Sequence, residues 1–313
     1  LKKFTFSGLE SISINCKKPV NIITMNCAEL KIKSCIVKSG KKIIKSNPKT
    51  NEKKEELQIK LDEKIRGLCT VDLEFEGILN DRLLGFYRSR YEQNGKTKYL
   101  ATTQFEAADA RRAFPCWDKP DAKATFEISI IADNQFTAIS NMPVKTKKKT
   151  GKTTIYNFQK TPLVSTYLIY LGVGEFEYLS GKAGKIQIRV VTTKGNTSKG
   201  KFSLELGKKL LTSYEKYFGI KFPLPKLDLI AVPDFAAGAM ENWGAITFRE
   251  TILLYDPKTS STRTKQFIAE VISHEIAHMW FGNLVTMKWW NDLWLNESFA
   301  TFMATKFVDK FYP

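Results

Sequence analysis

From the N-terminus to Val191 the chain is written in short extended runs, Phe4 to Phe6, Ser11 to Cys16, Val20 to Met25, Leu30 to Val37, Leu57 to Leu61 and Leu68 to Phe75. Turns rich in Gly, Asn and Lys separate them, a pattern that predicts an antiparallel sheet protein. Thr125 to Ile131 and Tyr167 to Leu171 extend the pattern, and polar Lys41 to Glu56 predicts a loop or a long hairpin connection. The texture changes at Thr192 to Lys201, where a polar, Gly-containing stretch gives way to Phe202, Leu206, Leu210, Leu211 and Tyr214 at helical spacing. A domain boundary near 197 follows, dividing the chain into 1–197 and 198–313. Beyond a helix end at Phe218-Gly219, Leu227 to Val232 reads as a buried strand and Ala245 to Phe248 as another. Helical spacing returns after Ser261 or Thr262, either of which can cap the segment carrying Phe267, Ile268, Val271 and Ile272. There is no internal repeat.

Composition narrows this picture. In 313 residues, 43% hydrophobic, the chain holds 49 basic and 32 acidic side chains for a net charge of +17, which is globular and not disordered. Of the basic residues 40 are Lys and 9 are Arg, a balance that solvates a surface better than it reads nucleic acid, because specific phosphate and base contacts lean on the Arg fork. No nucleic-acid partner is expected. The densest basic run, Lys145 to Lys152, contains a Thr-Gly turn signal and predicts a solvated hairpin tip. Five cysteines without any Cys-x-x-Cys spacing read as reduced thiols of a cytoplasmic protein. No apolar run approaches the length of about 18 residues that spans a bilayer, so no membrane partner is expected. The first 30 residues carry no signal-peptide pattern, although the chain does not begin with Met and an upstream segment can precede it.

The only two histidines fall four residues apart, in His274-Glu275-Ile276-Ala277-His278. On a helix, positions i and i+4 share a face, so both imidazoles reach one metal ion while Glu275 projects about 100° away. Zinc suits two neutral imidazoles and an oxygen ligand, with a position left for water. No histidine remains for the third ligand and none of the five cysteines lies beyond Cys116, whereas carboxylates do, so a carboxylate on a second helix can complete the set. Glu297, on a second helical segment starting near Asn291-Asp292 after a stop at Gly282-Asn283, is favoured by spacing; Asp292, Asp309 and Glu270 are alternatives.

The runs His274 to Ala300 (HEIAHMWFGNLVTMKWWNDLWLNESFA), Gly238 to Trp243 (GAMENW) and Thr103 to Pro120 (TQFEAADARRAFPCWDKP) resemble the M1 family of zinc aminopeptidases. In that family HExxH is followed by eighteen residues and then Glu, and eighteen residues, Met279 to Asn296, separate His278 from Glu297 here. The resemblance thus assigns one Zn2+ per chain to His274, His278 and Glu297, with Glu275 as general base. It further implies that Glu106 and Glu241 bind the free amine of a peptide substrate, that Gln104 lines the pocket for the first side chain, and that Gly238, Ala239, Met240 and Asn242 belong to the substrate-binding run. Within the family the chain is most similar to the puromycin-sensitive and tricorn-associated enzymes.

The implied fold is α+β and multidomain, a saddle-like antiparallel β sandwich followed by the first part of a thermolysin-like catalytic domain. A family tyrosine that stabilises the oxyanion lies beyond residue 313, as does the helical C-terminal portion. Ser298, Met279 and Lys119 depart from the usual Gly, Gln and Glu without removing a ligand or the base. A zinc endopeptidase would need no amine-binding pair, and a catalytically weak peptide-binding protein would follow if the full-length chain lacked that tyrosine. The aromatics Trp280, Phe281, Trp289, Trp290 and Trp294 are expected to pack in the core. The partner is a peptide with a free N-terminus, and oligomeric state is not set by the sequence.

Overall fold

The computed structural model describes residue 1 and residues 3–312, which fall into two compact units: 1–87 with 104–118, and 88–103 with 119–313.

The first unit is an antiparallel sheet built on two long strands, β1 (Thr5–Asn26) and β5 (Glu56–Ile78), which pair along almost their whole length. Three of the short runs anticipated from the sequence are thus one strand. The interruption at Lys17-Lys18-Pro19 is a register shift between Cys16 and Val20, where proline removes a ladder donor and the strand bulges without ending. On its other side β5 pairs with β2 (Lys31–Ser39) and β4 (Ser46–Asn51), while β3 (Lys42–Ile44) closes a hairpin with β2. The polar stretch Lys41 to Glu56 is therefore a hairpin connection that itself carries strands. Its mostly exposed residues join the sheet through backbone bonds to β5 and need no apolar alternation. Alternate residues of β5, among them Leu57, Ile59, Val71, Leu73 and Phe75, form a core against which Phe114 and Trp117 pack.

The second unit carries three sheets. β6 (Gly85–Gln93), which starts within the first unit, and β7 (Lys96–Gln104), which ends in it, share a sheet with β12 (Leu171–Gly174) and β9 (Thr137–Ser140). β8 (Ser129–Asp133), β10 (Val144–Thr150) and β11 (Thr153–Phe158) form the second sheet. The lysine-rich run is a hairpin turning at Gly151, and β10 is exposed throughout, so its lysines keep an edge strand in water. Of the two extensions read as strands, Thr125 to Ile131 pairs regularly only from Ser129, and Tyr167 lies in a 3-10 turn preceding β12.

The third sheet is mixed, in the order β13 (Phe176–Ala183), β14 (Ile186–Thr193), β15 (Lys226–Val232), β17 (Ala245–Arg249) and β16 (Ala239–Met240). β15 runs parallel to both neighbours and is wholly buried, which explains why it is apolar apart from Lys226 and Asp228, whose charges pair with each other. Three helices accompany this sheet: α1 (Lys201–Phe218), α2 (Thr262–Ala277) and α3 (Trp294–Phe311). α1 ends at Gly219 in the left-handed conformation, as the sequence anticipates. Tyr214 of α1 ties the helices together, sharing a hydrogen bond of 2.8 Å with Ser273 Oγ on α2 and setting its ring 4.5 Å from Phe307 on α3. The chain thus has an N-terminal antiparallel β portion followed by a mixed sheet with helices. Among the described residues, no helix is long and apolar enough to cross a membrane.

Candidate metal centre

Ser261 caps α2 by accepting from the Thr264 amide at 3.1 Å, and the helix carries His274 in its last turn and His278 at its C-cap. It closes at Ala277, earlier than the Gly282-Asn283 stop read from the sequence, because the next amides tighten onto Ile276 and Ala277 carbonyls. Gly282 then turns the chain at φ +130°, where a Cβ would lie 3.2 Å from His278 Nδ1. A 3-10 turn at Trp290–Asp292 leads into α3, which bears Glu297 in its first turn.

These elements bring His274, His278 and Glu297 together. The two Nε2 atoms are 2.9 Å apart, and the Glu297 oxygens lie 3.3 Å from His274 Nε2 and 3.6 Å from His278 Nε2. Ligand atoms about 2.0–2.1 Å from a tetrahedral zinc are separated by about 3.3 Å, so the three separations bracket the expected edge. The tautomers agree with that use. His278 Nδ1 lies 2.9 Å from the Phe281 carbonyl, which only accepts, so the proton sits on Nδ1 and Nε2 presents a lone pair. His274 Nδ1 is 3.3 Å from Thr301 Oγ1. Burial, reinforced by the neighbouring His274, pulls His278 down to about 4, so its imidazole is neutral at physiological pH. Burial would raise the Glu297 carboxyl, but its hydrogen bond to His274 and its electrostatic attraction to the two facing rings hold it below its usual value. Two imidazoles and a carboxylate converging in this way fit a zinc ion. Glu275, next to the first ligand on α2, is buried.

The second predicted cluster is built on a sheet edge. β16 carries Ala239 and Met240 and pairs antiparallel with β17 through Ala239↔Phe248 and Met240↔Thr247. It is the terminal strand of its sheet. Gly238 is exposed and Ala239 half-buried, while Met240, Glu241 and Asn242 are buried. The carbonyls that follow are gripped one by one. Asn283 Nδ2 donates to Glu241 O at 2.8 Å, the Ala245 amide to Asn242 O at 2.9 Å, Asn141 Nδ2 to Trp243 O at 3.0 Å, and Lys226 Nζ to Gly244 O at 2.7 Å. Gly244 adopts φ +77°, and a Cβ there would come within 2.8 Å of the Asn141 carbonyl.

Lys226 is itself buried, bonded also to Ser140 O and Asp228 Oδ2 at 2.7 Å each, and burial brings its ammonium down to about 8. Burial would raise the Asp228 carboxyl; the charges of Lys226 and Arg189 hold it below its usual value.

In the other compact unit, Gln104 ends β7 with its Oε1 buried and unpartnered among the described residues. Glu106 is half-buried in a turn closed by the Asp109 amide donating to Phe105 O at 2.8 Å. That turn is braced by Arg112, whose Nε donates to Asp109 at 2.7 Å and whose Nη2 donates to Glu55 at 2.8 Å. Among the aromatics, Trp280 is buried and donates to Ile220 O, and Trp290 packs edge-on to Tyr167. Trp289 and Trp294, expected in the core, are instead 53% and 61% exposed. Trp294 lies on an outward face of α3 with Leu295, Phe299 and Phe302.

Sequence reasoning did not reach Thr301, Asn141, Lys226 or Asn283. Two had a signal: Thr301 is one helical turn beyond Glu297, and Lys226 with Asp228 occupies alternate positions of one strand, which face the same side.

Residues 1–168 match the peptidase M1 N-terminal domain and residues 202–313 the peptidase family M1 domain. Aminopeptidase M1 of Arabidopsis thaliana is 44% identical over 99% of this chain and 36% of its own length. Puromycin-sensitive aminopeptidase of Caenorhabditis elegans is 45% identical over 98% of the chain and 33% of its own. Probable aminopeptidase 2 of Sulfurisphaera tokodaii is 52% identical over 77% of the chain and 30% of its own. The chain therefore spans about a third of the length of the curated relatives it matches.

Proposed function

Because the chain belongs to peptidase family M1, we propose that it forms part of a zinc-dependent aminopeptidase, one that hydrolyses the first peptide bond of peptides with a free N-terminus. The convergence of His274, His278 and Glu297 at zinc-ligand separations is the observation that carries this reading. The relatives' names supply the direction of cleavage.

When bound, one zinc ion supplies Lewis acidity, acidifying water and polarising the scissile carbonyl. Glu275 is the general base: it accepts a proton from the attacking water and returns it to the departing amine nitrogen. The Phe281 carbonyl and Thr301 fix the two imidazole rings, so each offers Nε2 without reorganising.

Glu106 and Glu241 hold the substrate's ammonium by charge-assisted hydrogen bonds. An internal amide would leave two desolvated carboxylates without a counter-charge, and that penalty makes the enzyme an exopeptidase. Gly238 and Ala239 offer backbone groups from the terminal strand, with Met240 and Asn242 supporting that run. Gln104 lines the pocket for the first side chain. In this division of labour, 1–197 contributes one carboxylate of the amine clamp and 198–313 contributes the other together with the metal ligands. Five cysteines without a disulfide support a cytoplasmic location.

Chelation tests the reading. The full-length protein should lose hydrolysis of an aminoacyl fluorogenic amide when zinc is stripped and regain it with one equivalent of Zn2+; activity indifferent to zinc removal would defeat it.

A further inference from the structure

Asn283 lies in the turn that follows α2, fully buried, five residues after the ligand His278. Its side-chain amide donates to the main-chain carbonyl of Glu241 at 2.8 Å. Its own backbone amide donates to the main-chain carbonyl of His278 at 3.1 Å. One residue thus spans from the backbone of a metal ligand to the backbone of the amine-binding carboxylate with two hydrogen bonds.

The span is held at several further points. Lys123 Nζ donates to Asn283 O at 3.2 Å. Tyr167 Oη donates to Gly282 O at 3.3 Å, and Thr286 Oγ1 donates to the same oxygen at 2.5 Å. The Asn283 Oδ1 has no hydrogen-bond partner among the described residues, and the only other contact of Nδ2 is the weak thioether acceptor of Met279 at 3.7 Å. The amide is therefore oriented by a single strong acceptor, the Glu241 carbonyl.

We propose that Asn283 is a positioning residue that sets the offset between the metal-ligand helix and Glu241, and so the distance between the metal, where the scissile carbonyl is received, and the point where the substrate's terminal amine is held. The inference rests on the amine-binding role given to Glu241 above. An aminopeptidase needs that offset fixed to one residue's length, because an ammonium held too near or too far carries the first peptide bond away from the metal. Misplacement of about 1 Å costs roughly 100-fold in rate. Asn283 is not one of the converging ligand residues and acts through the backbones of Glu241 and His278.

The test uses full-length, zinc-loaded protein in wild-type form and as Asn283→Asp, Asn283→Ala and Lys123→Met. Asn283→Asp keeps the shape but replaces the donor with an acceptor facing the Glu241 carbonyl. Zinc content, melting temperature, calorimetric affinity for L-leucine and for N-acetyl-L-leucine, and kcat and KM on an aminoacyl amide are read for each.

The expected result is a fall of about 10- to 100-fold in L-leucine affinity and in kcat/KM for Asn283→Asp, with zinc content retained and N-acetyl-L-leucine affinity unchanged. Lys123→Met should give a smaller loss in the same direction, and decides the matter if both Asn283 variants fail to fold. Wild-type L-leucine affinity in zinc-loaded variants overturns the proposal while leaving the amine clamp intact. So does a loss of zinc with no change in affinity per loaded molecule. A wild-type protein that binds the two amino acids equally overturns the amine clamp, and this inference with it.

Discussion

The sheet β1–β5 and the pair α2 and α3 each enclose a carboxyl group, and they treat it in opposite ways. Glu10 projects from β1 in the inward-facing row, with Oε2 buried and without a hydrogen-bond partner among the described residues. Burial pushes its carboxyl up to about 8, so the sheet keeps it neutral. Glu297 is also partly enclosed, yet two imidazoles hold it charged. Asp228, fully buried on β15, likewise stays charged through Lys226 and Arg189. Desolvation alone neutralises an acid; it takes convergent partners to keep one ionised. The difference separates a tolerated buried polar group from a built site.

Four substitutions test that contrast, beginning with the largest effect. Glu275→Gln removes the proton acceptor while preserving shape, and kcat should fall by about 100- to 10,000-fold with zinc content unchanged; retained turnover would remove Glu275 from its role. Glu241→Gln should lower kcat/KM on free-amine substrates by about 100-fold and leave any residual rate on N-acetylated substrates alone, since a charge-assisted bond is lost. Lys226→Met strips one of two cations from Asp228 and frees the Ser140 and Gly244 carbonyls, for a loss of about 2–3 kcal/mol in denaturant unfolding. A stability equal to wild type would show that Arg189 suffices.

Glu10→Gln is the smallest and is read against pH. The folded-state value of about 8 lies above the ordinary 4.5. Between those limits the unfolded chain releases a proton that the folded chain keeps, so wild-type stability falls as pH rises from 4.5 towards 8 and levels off above it. The glutamine variant lacks that slope. It should gain on the order of 2 kcal/mol relative to wild type between pH 6 and pH 7.5. Parallel pH profiles would show that Glu10 is solvated in the folded protein.

The same contrast governs what could be read from the sequence. The metal ligands were legible because helical periodicity places positions 274 and 278 on one face, whatever the rest of the fold does. Glu297 needed only a second helix packed beside the first. The residues proposed to bind the amine had no such local code: Glu241 follows a sheet-edge strand, and its carbonyl is held by Asn283, forty-two residues away. Only the resemblance pointed to them. In the sheets, alternation marked the strands but could not show that β1 runs through Pro19, because a bulge absorbs the missing donor. Nor could it mark β4, whose place comes from backbone pairing and not from apolar side chains. Trp289 and Trp294 looked like core because aromatic residues usually are; Trp294 is exposed through how α3 is turned, and Trp289 stands before the 3-10 turn that leads into it, neither of which composition encodes.

The central claim is that a metal centre and a carboxylate clamp act together on the free end of a peptide. Its most direct test is the rate ratio, on the full-length protein, between aminoacyl fluorogenic amides with a free amino terminus and the same compounds N-acetylated. A ratio of about 100 or more, with both rates abolished by a zinc chelator, is the predicted result. Equal rates on the two substrates would contradict the clamp and leave a zinc peptidase without preference for the chain end.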